Sequence, residues 1–210
     1  MIMQAFPCEI DYYKTTEGKA PFKEWLEALR DVNGRAKVRV RLDRARLGNL
    51  GDHKPVDEGA WELRIDYGPG YRAYFAKEGT RLVLLLVGSD KSRTSSRPQA
   101  TCKTIEGGSD MAPMTEYQKD LIEALKDPTE AAAYLNAALE EGDKEAFLLA
   151  LRNIAEANGG MKAVAEKAHL NRESLYRTLS RRGNPEIRTL FSLLHGVGLR
   201  LSVTPEQVTA

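Results

Sequence analysis

The sequence predicts an α+β unit over residues 1–92, two helices on an antiparallel sheet, followed by an all-α unit over 113–210. Three observations carry this. Composition breaks after Lys91, where SRTSSRPQATCKTIEGGSDMAP shows no helical or strand period and reads as a linker, taken as 93–112. Before the break, strand-like runs alternate with glycine turns; after it, only helical spacing and helix caps occur. A chain of 210 residues suits two small domains at about 100–200 residues each.

The elements follow in order. QAFPCEIDYYK alternates loosely and suits an opening strand. Ala20 to Asp31 sets Phe22, Trp25, Leu26 and Leu29 at helical spacing, with Pro21 in the first turn. Arg35 to Leu47 is a second helix with Val38, Leu42 and Ala45 on one side and Arg35, Lys37, Arg39, Arg41, Arg44 and Arg46 around the rest. Ala60–Tyr67, Tyr71–Ala76 and Arg81–Val87 read as strands, parted by the turns GPG and KEG. In the second unit Thr115 caps a helix to Leu125, Pro128 opens one to Leu139, and Asp143 caps a longer one that Gly159-Gly160 ends.

Composition narrows the classes. With 42% hydrophobic residues the chain is not wholly disordered. Its longest uncharged apolar run, Leu82 to Val87, falls far short of the ~20 residues that cross a bilayer. The opening MIMQAFPCEIDYYK turns acidic too soon for a signal peptide, and two cysteines make no disulfide framework. A soluble cytoplasmic protein without a membrane partner is expected. His53, His169 and His195 lack metal-ligand spacing and no glycine-rich phosphate loop occurs, so neither metal nor cofactor is expected. Charge is uneven: residues 113–142 carry two basic and seven acidic side chains, between basic flanks. Such a block suggests complementarity within the molecule or separate partners for separate parts.

The strongest motif is a helix at Met161–Ala168, a turn at His169–Asn171 and a second helix at Arg172–Ser180, the spacing of a DNA-binding helix-turn-helix. Val164, Ala165, Ala168, Leu170, Leu175 and Leu179 would face the core. Asn171 caps the second helix, and Arg172, Glu173, Ser174 and Arg177 project where base edges lie, while Arg181 and Arg182 suit phosphates. On spacing alone an ordinary helical hairpin with a solvated face fits as well.

NRESLYRTLSRRGNPEIRTLFSLLHGVGLRLSV resembles the addiction module antidote family, the HigA-like antitoxins, and the likeness extends over about 113–203. It implies a repressor of its own operon that neutralises a toxin encoded beside it. GDHKPVDEGAWELRIDYGPGYRAYF followed by LVLLLVGSDKS resembles the RelE/ParE superfamily, nearest its HigB-like addiction module killer toxins. That implies two helices on a twisted antiparallel sheet and metal-free cleavage of mRNA on the ribosome. Such chemistry needs a base or an oriented 2′-hydroxyl, cationic support for the phosphorane and an acid for the leaving oxygen. The candidates are Lys54, Arg64, Tyr71, Arg72, Asp90 and Lys91, with His53 beside them. Arg64 and Arg72 are expected to share one side of adjacent strands and clamp a phosphate; Tyr67 or Tyr71 would stack on a base. Ion pairing of Arg64 with Glu62 or Asp66, and tyrosines in the core, fit the same residues. The basic helix 35–47 suits either RNA or solvent.

The toxin likeness stops at GSDKS. Related toxins continue into a further helix, whereas 93–108 has no helical period, which reads as a frameshift near codon 92 that joined a toxin gene to its antitoxin gene. The expected protein is therefore a toxin–antitoxin fusion with a silenced ribonuclease. Its acidic 113–142 segment would dock on the basic toxin surface, in the same chain or swapped into a homodimer. Operator DNA is the expected partner of the second unit, and mRNA with the ribosome that of the first if active. Two alternatives stay open: an active endonuclease released by linker proteolysis, and a pure repressor with a degenerate toxin unit.

Overall fold

The computed structural model describes residues 8–57, 59–79, 81–86, 114–203 and 205, without the side chains of Asp57, Glu78 and 82–86. Asp90, Lys91, the 93–112 segment and Cys102 lie outside them.

The first half is a five-stranded sheet with two helices on one face. Its strands are β1 (Glu9–Tyr12), β2 (His53–Asp57), β3 (Ala60–Ile65), β4 (Tyr71–Glu78) and β5 (Arg81–Leu86), in the order β1-β5-β4-β3-β2. β2 to β5 form an antiparallel meander and β1 joins β5 in parallel. The turns predicted at GPG and KEG join β3 to β4 and β4 to β5, and Gly68, Gly70 and Gly79 all have positive φ there. β2 is the strand that sequence reading misses. Five residues with an internal proline make a weak strand signal, yet Pro55 is tolerated because β2 is an edge strand.

Helices α1 (Pro21–Ala28) and α2 (Val32–Arg46) close one face of the sheet. Alternation in the strands explains the packing: Leu63 and Ile65 of β3 and Tyr71, Ala73 and Phe75 of β4 are buried with Phe22, Leu26, Val38 and Leu42. Arg64 and Arg72 point to the opposite face, as expected. Tyr71 does not join them, because its strand parity turns it inward against Trp25, the ring centroids 6.0 Å apart.

The second half is all helical: α3 (Glu116–Ala124), α4 (Pro128–Glu140), α5 (Lys144–Ala157), α6 (Gly160–Lys167), α7 (Arg172–Thr178) and α8 (Ile187–Gly196). The caps read from sequence are in place. Thr115 accepts from the Gln118 amide at 3.3 Å, Asp143 from Glu145 and Ala146 at 3.0 and 3.2 Å, and Asn171 from Ser174 at 3.0 Å.

The halves do not stand apart. α4 packs along α2, α5 reaches the same helix and α3 meets β1, and one continuous apolar cluster runs through both. α2 is consequently buried on two sides, toward the sheet and toward α4. That is why its Ala36, Val38, Val40, Leu42 and Ala45 do not keep to one stripe.

Candidate functional site

Three polar constellations stand out: the seam between the halves, the outer face of the sheet, and the α6–α7 pair.

The seam is built on α2. Arg35 and Arg39 both bind the carboxylate of Glu130 in the first turn of α4, the Arg35 Nε contact measuring 2.9 Å. Lys37 reaches Glu140 at 2.8 Å, Arg44 pairs with Glu141, and Arg44 Nε lies 3.6 Å from Asp143. Lys23 of α1 meets Asp120 of α3 at 2.8 Å, and Lys14 meets Glu116 at 2.6 Å. The acidic block of 113–142 thus lies on the basic helix of the first half, within one chain. Burial alone would raise the Glu130 carboxyl, yet Arg35 and Arg39 outweigh it and hold it below the usual range.

Inside this ring lies a buried polar network. Asp43 of α2 accepts from the Tyr134 hydroxyl of α4, and Asn153 of α5 donates to that hydroxyl at 2.8 Å. Gln118 of α3 donates to Asn153 Oδ1 at 3.1 Å and accepts from Arg46. Asp43 is 1% exposed, and burial pushes its carboxyl up to about 6 against the favourable Tyr134 bond and the charges of Arg46, Arg152 and Arg39. Its Oδ1 has no hydrogen-bond partner. Arg41 is also buried, but it donates to the carbonyls of Leu50, Asp52 and Arg64 and so staples a loop to β3. Solvated or RNA-facing arginines on 35–47 are therefore not what the structure has. Buried apolar residues and a carboxylate at the centre, with cations at the rim, make this a protein-binding face.

The outer sheet face gathers several predicted residues. Register sets Lys54 beside Glu62, Glu62 beside Tyr74, and Arg64 beside Arg72. Arg64 Nε donates to Glu62 Oε1 at 2.9 Å, while Arg72 Nη1 and Lys54 Nζ stand 3.8 Å from the same carboxylate. Asp52 lies 3.8 Å from Arg64. The Glu62 side chain is 3% exposed and Arg64 44%. The hydrogen bond to Glu62, then the charge of Asp52, raise Arg64 further above its ordinary value. Burial, then the Glu62 charge, raise Tyr74, which stands opposite Glu62 in the ladder. Sequence reading placed Glu62 only as an ion-pair partner and missed Tyr74; strand parity with Arg72 was the available signal. His53, by contrast, pairs with Leu63 on the helix-covered side and lies 5.5 Å from the Trp61 ring, over which Lys77 stands at 4.2 Å.

α6 and α7 are joined by residues 168–171, with His169 at φ 54 in the turn. Val164, Ala165, Ala168, Leu175 and Leu179 are buried and Leu170 is half-buried, as the spacing predicts. Asn171, Arg172, Glu173, Arg177 and Arg182 are exposed, and Ser174 and Arg181 half-buried. Arg172 lies 5.5 Å over the Tyr176 ring, and Arg181 pairs with Glu145 at 2.6 Å. Among the described residues no group of His, Cys, Asp and Glu is placed to hold a metal, and no helix is long and apolar enough to cross a membrane.

Together these constellations describe a helical half whose acidic residues clasp the basic helix α2 of the other half. Residues 115–205, the helical half, match the family described as "Probable addiction module antidote protein". Two uncharacterized proteins of Haemophilus influenzae are similar. One is 46% identical over 71 residues, 34% of this chain and 72% of its own length. The other is 38% identical over 92 residues, 43% of this chain and 94% of its own length. No solved structure matches. An antidote-family region points to a toxin–antitoxin system, in which an antidote has in general a toxin for its partner.

Proposed function

We propose that the chain is a type II toxin–antitoxin fusion in which residues 113–210 form a HigA-like antitoxin and repressor. Residues 1–92 form a HigB-like toxin of the RelE/ParE superfamily, an mRNA endoribonuclease held silent, and 93–112 tether the two. The observation that carries the reading is the seam. The acidic segment of the antidote-family half sits on α2 through Glu130, Glu140, Glu141 and Asp143. A meander backed by two helices supports the RelE/ParE reading, and Arg64 facing Arg72 on its open side supports a phosphate clamp. Lys54 shares that face, while Tyr71 serves the core.

The second half is read as a helix-turn-helix repressor. Asn171, Arg172, Glu173, Ser174 and Arg177 meet base edges, and Arg181 and Arg182 meet phosphates. A cytoplasmic homodimer would set two α7 helices ~34 Å apart on a palindromic operator. The test is growth of a translating host after induction of three proteins: the full chain, the full chain with Glu130→Lys and Glu141→Lys, and residues 1–92. Arrest by either altered protein but not by the native chain is expected. Growth unaffected by all three would end the toxin half of the reading.

A further inference from the structure

The outer sheet face carries an anomaly that the phosphate clamp alone leaves unexplained. A carboxylate is buried at the centre of a cluster of three cations. Glu62 lies within 3.8 Å of Lys54, Arg64 and Arg72, which come from three adjacent strands, and is 3% exposed while Arg64 and Lys54 are 44% and 49% exposed. A surface carboxylate would gain little from such neighbours, but a buried one fixes their directions. Arg64 spends its Nε on Glu62 and keeps its terminal nitrogens toward Asp52 and solvent. Tyr74 stands directly opposite Glu62 in the β3–β4 register, so that three cations and a phenol surround one carboxylate. The ladder is irregular at this point: Tyr74 pairs with Leu86 but Phe75 with Leu84, a bulge of the kind that re-aims a side chain beside a functional site.

We propose that Glu62 is the positioning residue of a phosphodiester site on this face, holding Arg64, Arg72 and Lys54 in register, and that Tyr74 is its neutral hydrogen-bond donor. Three cations against the carboxylates of Glu62 and Asp52 leave the cluster a net charge of +1. That favours the doubly charged phosphorane of in-line attack over the singly charged diester. Burial and Glu62 keep Tyr74 protonated, as a donor must be. The inference rests on the toxin reading for its substrate, RNA, and on the sheet alone for its geometry.

The test uses the full chain and a 2′-O-methyl dinucleotide, which cannot be cleaved and is too short to span a helix-turn-helix site. Amide and arginine Nε–H resonances in β3 and β4 report binding, with inorganic phosphate as the comparison ligand. The dinucleotide is expected to shift residues 62–64 and 72–74 and to bind more tightly than phosphate. Glu62→Gln adds net positive charge, yet binding should weaken about tenfold as the guanidinium groups lose their shared acceptor. The Arg64 and Arg72 Nε–H signals should move to the position of mobile side chains. Tyr74→Phe should weaken binding about threefold with those signals unmoved. Tighter binding by Glu62→Gln would overturn the positioning role, since Glu62 would then be only a competing anion. No shift in β3–β4, or phosphate binding as tight as the dinucleotide, would overturn the site itself. Dinucleotide binding without growth arrest from any freed toxin half would remove the toxin reading and leave the site standing. Arrest without dinucleotide binding would do the reverse.

Discussion

Two arginine-rich helices of this chain meet opposite fates. α2 carries Arg35, Lys37, Arg39, Arg41, Arg44 and Arg46, and the structure pairs or buries them against carboxylates and carbonyls of other elements. α7 and the residues after it carry Arg172, Arg177, Arg181 and Arg182, and three of these four are exposed. Basic content alone does not separate the two. The residues between the arginines do. α2 interleaves Ala36, Val38, Val40, Leu42 and Ala45 with its cations and places Asp43 among them, so both sides can be buried by protein. α7 offers Glu173, Ser174 and Thr178, and buries only Leu175, so one side stays wet. A helix that must meet another protein needs apolar centre and charged rim; a helix that enters a DNA groove needs polar reach.

The sharpest way to break this comparison is to remove the carboxylate that two α2 arginines share. Glu130→Ala leaves Arg35 and Arg39 facing a half-buried gap, and losing one partner of a buried ion pair costs about 3–5 kcal/mol. Glu130→Lys adds repulsion. The expected outcome is a lower midpoint in urea and rapid exchange of α2 amides, while the α6–α7 amides keep their protection. Equal loss of protection in α7 would mean that the halves are one cooperative unit rather than a clasp.

The buried network offers a second, pH-dependent test. The folded chain binds the Asp43 proton more tightly than the unfolded chain, because burial lifts that carboxyl to about 6. Its contribution is therefore complete below the unfolded value and is lost as pH rises through about 6. Glu130 behaves oppositely, since its folded value is depressed, and its contribution is lost as pH falls below the ordinary carboxylate range. Tyr134, Tyr117, Asn153, Arg152, Arg39 and Arg46 surround Asp43, and the two tyrosines stay neutral throughout this range because burial raises them well above their ordinary value. Stability should rise from pH 7 to about 5, by about 1 kcal/mol, and then decline on further acidification as Glu130 is protonated. Thermal unfolding across pH 3–8 measures it. Asp43→Asn should flatten the upper limb, and a wild-type curve without that limb would show that Asp43 is not buried as described. Tyr134→Phe removes a close donor to Asp43 Oδ2, at about 1–3 kcal/mol.

On the wet helix the expected effects are on DNA rather than on folding. Arg177→Ala should cost about 1–3 kcal/mol of preference for operator over random DNA if the side chain reads a base. Arg182→Ala should weaken both alike and reduce the salt slope by about one. Fluorescence anisotropy at several salt concentrations separates the two. An unchanged operator-to-random ratio for Arg177→Ala would remove α7 from the groove.

How much of this was legible beforehand depended on whether the information was local. Caps, glycine turns and apolar spacing are local, and α3, α4, α5 and α7 begin where Thr115, Pro128, Asp143 and Asn171 place them. The opposition of Arg64 and Arg72 was legible because strand parity is a period of two. Tyr71 is one residue from Arg72 and must face the other way, so of its two readings, stacking on a base or packing in the core, the structure has the second. β2 was hidden by Pro55 and by its brevity. The network of Asp43, Tyr134, Asn153 and Gln118 was not legible at all. Its members lie up to 110 residues apart and only the docking of α3, α4 and α5 on α2 brings them together. A lone aspartate among arginines in α2 and an asparagine within the apolar stripe of α5 were the only local hints.

The smallest expected effect concerns the turn that positions α7. His169 sits at φ 54, a left-handed conformation that costs a residue with a Cβ about 1 kcal/mol or more relative to glycine. Its backbone amide is held by the Glu166 carbonyl at 3.2 Å, and the next amide, of Leu170, bonds Ala165 at 2.9 Å, so the turn is fixed from both sides. His169→Gly should relieve the strain while it frees the unfolded chain, and the two effects oppose one another. A net gain of about 0.5 kcal/mol in urea unfolding is expected, with operator affinity unchanged because the turn geometry is kept. A loss of stability would mean that the imidazole makes a contact worth more than its backbone strain. A loss of operator affinity at unchanged stability would mean instead that His169 itself touches the phosphate backbone, and the wet surface of the molecule would extend from α7 into the turn that precedes it.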